Sequence, residues 1–273
     1  MEKLNQRKPA VAGQFYPANA MDLNSEISGY LDPKSGKQDV LACIMPHAGY
    51  MYSGPVAGAV VSRINIPEHV VLLGPNHTGQ GTPFSLSGNG SWKTPLGELD
   101  IDVELGEAIL SGSQYLQEDS LAHLFEHSLE VELPFLQYFR KDFKIVPICV
   151  ASLNPAALKS VGAAIADAVI KLNIRKSTLI VASSDMTHYE PQKEAEKKDK
   201  LAIDAILELN EDKLLERIAK FDISMCGVAP VAAMLVSAKK LGAKKAQLIK
   251  YQTSGDVSRD FSSVVGYAGI IIY

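Results

Sequence analysis

The sequence predicts an α/β fold in which a mixed central β-sheet is sandwiched between helices. Short apolar runs rich in branched residues alternate along the chain with longer stretches of helical period, the pattern of strands joined by crossover helices. At 273 residues, 47% of them hydrophobic and 21% charged, the chain also has the size and make-up of one globular domain with a large core. A single domain over residues 1–273 is therefore expected.

Taken in order, the strand candidates are the apolar runs at 41–45, 69–73, 143–150, 178–182 and 246–251 and the C-terminal run 263–273. These make a sheet of about six strands or more. Segments 55–64, 101–110, 128–139, 155–172, 193–209 and 228–241 read as amphipathic or buried helices able to cover both faces. Within 84–99, Gly88-Asn89-Gly90 separates two alternating runs, which predicts a hairpin inserted after the second strand. The charged stretch 193–200 reads as the solvated face of its helix, and no internal repeat or linker breaks the chain.

A formal net charge of -4 gives no basic field, which excludes nucleic acid and anionic membrane surfaces as partners. No apolar run approaches the roughly 20 residues needed to span a bilayer. The charged start, 1–8, is followed by no signal-peptide core, so a cytoplasmic protein is expected. Three cysteines, Cys43, Cys149 and Cys226, lie far apart without CxxC spacing, which argues against disulfides. Cys43 and Cys149 sit inside apolar strand runs and read as small core residues.

Polar breaks after the strands collect the chemistry, as α/β enzymes require. Pro46-His47-Ala48-Gly49-Tyr50 follows the first strand and Gly74-Pro75-Asn76-His77-Thr78-Gly79 the second. Alone, either histidine reads as a loop residue bonded to backbone. Both in the same topological position, emerging at carboxyl ends of parallel strands, point to a shared metal ion. Ser183-Ser184-Asp185 with His188 follows the fourth strand, where Asp185 can fix the tautomer of His188 and suit it to acid/base work; a helix cap is the competing reading.

Glu126-His127-Ser128-Leu129-Glu130 opens a helix. Capping explains Ser128 and the acids but leaves His127 as a candidate substrate contact beside Glu126. Cys226-Gly227 precedes the helix beginning near Val228, and a cysteine at a helix N-terminus favours the thiolate that binds metals and attacks electrophiles. Ser254-Gly255-Asp256 closes the last crossover strand and brings Asp256 toward the same edge, although turn chemistry also explains it. Phe15 and Tyr16 are candidates for the pocket mouth, with ordinary packing as the plainer account.

Together with Ala12-Gly13-Gln14-Phe15-Tyr16-Pro17, these motifs, in this order and nearly end to end, resemble the Memo family. That family is similar in fold to class III extradiol dioxygenases, in which two histidines and a glutamate hold ferrous iron. The Memo pattern has cysteine in the third place, so the resemblance implies His47, His77 and Cys226 as metal ligands, His188 with Asp185 as the acid/base pair, and His127 as an accessory histidine. Where some members carry tryptophan, this chain has Phe15. The resemblance also implies a radical-SAM protein as partner in prokaryotes.

Two neutral imidazoles and a thiolate leave coordination positions open and favour a soft or borderline ion, with iron or copper expected first and zinc also admissible. A mononuclear, dioxygenase-like oxidoreductase is the leading expectation. The alternative is a non-catalytic peptide-binding or metal-carrier protein using the same cleft for a peptide or small molecule. A metal-free hydrolase built on Ser184 or Cys226 ranks last, since no G-x-S-x-G elbow is present.

Overall fold

The computed structural model describes residues 6–273. The strands are β1 (Gln6–Arg7), β2 (Ala42–Met45), β3 (His69–Pro75), β4 (Phe84–Leu86), β5 (Ser91–Thr94) and β6 (Gly97–Asp100), followed by β7 (Gln117–Glu118), β8 (Lys144–Val150), β9 (Thr178–Ser183), β10 (His188–Glu190), β11 (Ala246–Thr253) and β12 (Val264–Ile272). The helices are α1 (Ala20–Tyr30), α2 (Tyr50–Val61), α3 (Val103–Ser111), α4 (Leu133–Phe139), α5 (Pro155–Lys171), α6 (Gln192–Leu207), α7 (Glu211–Phe221), α8 (Val228–Lys240) and α9 (Gly255–Ser258).

Among the described residues, nine strands form the main sheet in the order β10-β12-β2-β9-β3-β8-β4-β7, with β11 on β12. Its centre, β2-β9-β3-β8, is parallel. Strands β12 and β4 run antiparallel on either side of it. The sheet is thus mixed, as the sequence predicts.

Side-chain alternation explains why helices cover both faces. Ala42 and Ile44 of β2, Val71 and Leu73 of β3, and Ile180 and Ala182 of β9 point into one core with residues of α3, α5, α6 and α8. Their neighbours Cys43, Met45, Val70, Leu72, Leu179 and Val181 point into the other, with residues of α1, α2 and α4. Period-2 strands buried on both sides read as continuous apolar runs, which is why they stand out in the sequence.

Three local expectations change. The hairpin forms between β5 and β6, not across Gly88–Gly90: β4 joins the main sheet, while β5 leaves for a small sheet with β1 and β6. The tight turn falls one step later, at Gly97, whose φ of +138° suits glycine. Helix α2 begins at Tyr50, five residues before Pro55, because Gly49 O accepts the amides of Tyr52 and Ser53 and starts the helix there. The segment 128–139 opens as a 3₁₀ turn, Glu130–Glu132, before α4. Helices α1 and α7 and the single turn α9 are additions to the sequence reading. Cys43 and Cys149 are buried, and all three cysteines are free. Among the described residues no helix is long and apolar enough to cross a membrane.

Candidate metal centre

His47 lies two residues beyond β2 and His77 two beyond β3, and both strands run parallel to β9, which lies between them. The two imidazoles therefore converge over the end of β9, with ring centroids 5.2 Å apart. Cys226 arrives from another direction, just ahead of α8. Gly227 makes that approach feasible, since a Cβ there would fall 2.3 Å from Ser184 Cβ and 2.4 Å from Ser183 O. One ligand atom from each of His47, His77 and Cys226 lies within 4.8 Å of the other two. Such a group can hold a metal ion.

Each of the three donors is held by a partner from elsewhere in the chain. His77 Nδ1 bonds Glu126 Oε1 at 2.9 Å, leaving its Nε2 free. The Glu126 carboxylate also accepts the amides of His77, His127 and Ser128. Burial would push this carboxyl up, but the His77 bond and charge and the surrounding amides outweigh it and hold it down at about 2. His77 shows the reciprocal effect: burial pushes it down, and Glu126 prevails and raises it. His47 Nδ1 lies 2.7 Å from Ser183 Oγ and its Nε2 3.4 Å from Cys226 Sγ. Burial, then the neighbouring His77 and His127, drive its basicity down. Cys226 Sγ accepts the Asp185 amide at 3.2 Å, while burial and the Asp185 carboxyl push its thiol up.

His77, Glu126 and His127 also come within 4.8 Å. With its two oxygens already accepting from His77 Nδ1 and three amides, Glu126 orients His77 rather than serving as a further ligand. Expected as a substrate contact, Glu126 is 1% exposed and lies behind the imidazole. His127 does line the group, its ring 4.8 Å from His77 and 5.7 Å from His47. Phe15 stands against His127 at 4.8 Å, whereas Tyr16 is buried with its hydroxyl on Glu130.

Glu130, with Arg7 and the amides of Ala10 and Val11, clasps the N-terminal segment across this side of the site. Asp256 is exposed and accepts the Thr253 amide in its own turn. Asp185, raised to about 6 by burial, accepts the His47 amide at 2.8 Å. The imidazole of His188 is oriented by Ser224 instead, Nδ1 bonding Ser224 O at 2.9 Å. Next to it Tyr189 adopts φ +58° and is 78% exposed, so the chain bulges where His188 turns. Ser183, Ser224, Glu130 and Glu132 are site residues that the motifs alone do not single out. Of these, Ser183 sits within Ser-Ser-Asp and Glu130 closes Glu-His-Ser-Leu-Glu, while Ser224 and Glu132 lie outside the motifs.

The fold and these side chains define an α/β protein with a His₂Cys group at the carboxyl edge of a mixed sheet. The chain belongs to the Memo-like protein family, whose family model matches residues 7–271. It is 47% identical to a MEMO1 family protein of Aquifex aeolicus, over 97% of this chain and 98% of that protein. MEMO1 family proteins of Methanosarcina acetivorans, 45% identical over 98% and 100%, and Methanopyrus kandleri, 43% over 97% and 98%, match at similar length.

Proposed function

We propose that His47, His77 and Cys226 bind one transition-metal ion, iron or copper before zinc, and that this protein is an oxidoreductase acting on a small molecule at that ion. What supports the reading is the convergence of two Nε2 atoms and one sulfur, each fixed by its own partner. A bound ion with only three protein ligands keeps positions open and supplies Lewis-acid or electron-transfer chemistry there.

The chain's own residues do the rest. His127 and Phe15 form one wall and limit water. His188, with Nδ1 committed to Ser224, has Nε2 left to hold or pass a proton. Glu126 keeps the His77 ring in position, and Asp185 orders both the His47 loop and the Cys226 sulfur.

Anaerobic purification followed by elemental analysis tests the proposal. One ion per chain is expected in the wild type, with loss in Cys226→Ser and His47→Ala. Metal-free wild type, or metal content indifferent to both substitutions, refutes it. His188→Ala is expected to retain the ion and lose about 10²-fold or more in substrate-dependent oxygen uptake. A metal-carrier or peptide-binding role on the same residues predicts binding without turnover.

A further inference from the structure

Ser183 Oγ has three close polar neighbours: His47 Nδ1 at 2.7 Å, Ser128 O at 2.7 Å and Glu132 Oε1 at 2.8 Å. A hydroxyl carries one proton and two lone pairs. Ser128 O is a carbonyl and can only accept, so the single Ser183 proton goes to it. The other two contacts then need protons of their own, one on His47 Nδ1 and one on Glu132 Oε1. Any other assignment leaves two bare oxygens, or an oxygen and an unprotonated nitrogen, 2.7–2.8 Å apart with nothing between them.

The surroundings of Glu132 agree. Its side chain is completely buried, and its second oxygen, Oε2, has no partner. For a carboxylate that would be a bare buried charge; for a carboxylic acid it is one unbonded carbonyl oxygen, a far smaller cost. Burial also drives its proton affinity well above that of an ordinary glutamate, with the Asp185 carboxyl adding to the effect.

We propose that Glu132 is a positioning residue for the ligand set: as a neutral carboxylic acid it donates to Ser183, and Ser183 thereby holds His47 as the Nδ1–H tautomer with Nε2 presented to Cys226. Ser183 sets the tautomer, and Glu132 locks Ser183 by filling its remaining lone pair. The proposal rests on the metal-centre reading for its consequence, but its hydrogen-bond content stands apart from it.

Two arms need no metal. In the metal-free wild type, imidazole ¹⁵N shifts should report Nδ1–H at His47; the Nε2–H tautomer overturns the proposal. An infrared difference spectrum of wild type against Glu132→Gln at pH 7 should show a protonated-carboxyl band lost in the variant; a lost carboxylate band overturns it. The third arm titrates zinc(II) anaerobically. Ser183→Ala and Glu132→Leu should each lose on the order of tenfold or more in affinity. Glu132→Gln, whose amide still donates to Ser183, should keep wild-type affinity. Glutamine behaving like leucine, or leucine like glutamate, overturns the proposal. If the wild type binds no zinc, iron or copper, the metal reading fails while the first two arms still decide the protonation state.

Discussion

Replacing Glu126 by glutamine tests whether the carboxylate behind His77 is a structural anion. Its oxygens accept from His77 Nδ1 and from the His77, His127 and Ser128 amides, and a glutamine must turn an NH₂ toward some of these donors. A carboxyl held at about 2 in the folded chain against an ordinary 4.5 corresponds to about 3 kcal/mol of stability. Because the folded value is depressed, that stability is fully present above pH 4.5 and is lost as pH falls toward 2. Urea unfolding should therefore place Glu126→Gln about 3 kcal/mol below wild type at pH 7, the gap closing to about 1 kcal/mol at pH 3. Equal stabilities at pH 7, or a gap that does not narrow in acid, would refute the reasoning. His77 also loses the anionic charge of its orienting partner in this variant, so metal uptake should weaken by about 10–100-fold.

Three further outcomes follow from the structure. Gly227→Ala should cost about 1–3 kcal/mol, because its Cβ would meet Ser184 and the Ser183 carbonyl; an unchanged Tm rejects that close approach. His123, buried against Trp92 and bonded to Ser85 O, is pushed by burial from 6.5 down to about 4. Its contribution is thus complete above pH 6.5 and disappears as pH falls toward 4. Wild type should lose about 3 kcal/mol more than His123→Phe across that window, and parallel unfolding profiles would rule this out. Tyr16→Phe removes a buried donor to Glu130 and should cost about 1.5–3 kcal/mol, read by chemical denaturation; a neutral result would show the N-terminal clasp does not need it.

What the sequence made legible follows from period and from what it cannot encode locally. The central strands announce themselves because both of their faces are buried, giving unbroken apolar runs. Helix α7 escapes the alternation rule because it follows α6 with no strand between, although Asn210 caps it. Helix α1 buries only Leu23 and Ile27, too little for a periodic signal. His47, His77 and Cys226 were recognisable from their positions after strands and before a helix. Their convergence depended on β9 lying between β2 and β3, which no local pattern states. The partners of the donors were less legible still: Ser183 lies 136 residues from His47, and Ser224 36 residues from His188.

Glu126 and Glu132 show why side-chain type alone could not assign the site. Six positions apart, both are glutamates buried behind a candidate ligand histidine. Glu126 meets four N–H groups, all donors, and can only be an anion. Glu132 meets one hydroxyl whose proton is already committed to a carbonyl, and can only be an acid. Each state serves its imidazole in the same way, because a histidine that donates Nδ1–H to a carboxylate, or to a hydroxyl whose own proton is committed elsewhere, has its Nε2 lone pair left for an ion. The difference is in charge: the anion adds electrostatic attraction for a cation at the His77 side, while the acid orients His47 without adding any. Removing the charge at 126 should therefore weaken ion binding, whereas removing the acid proton at 132 by an amide should not.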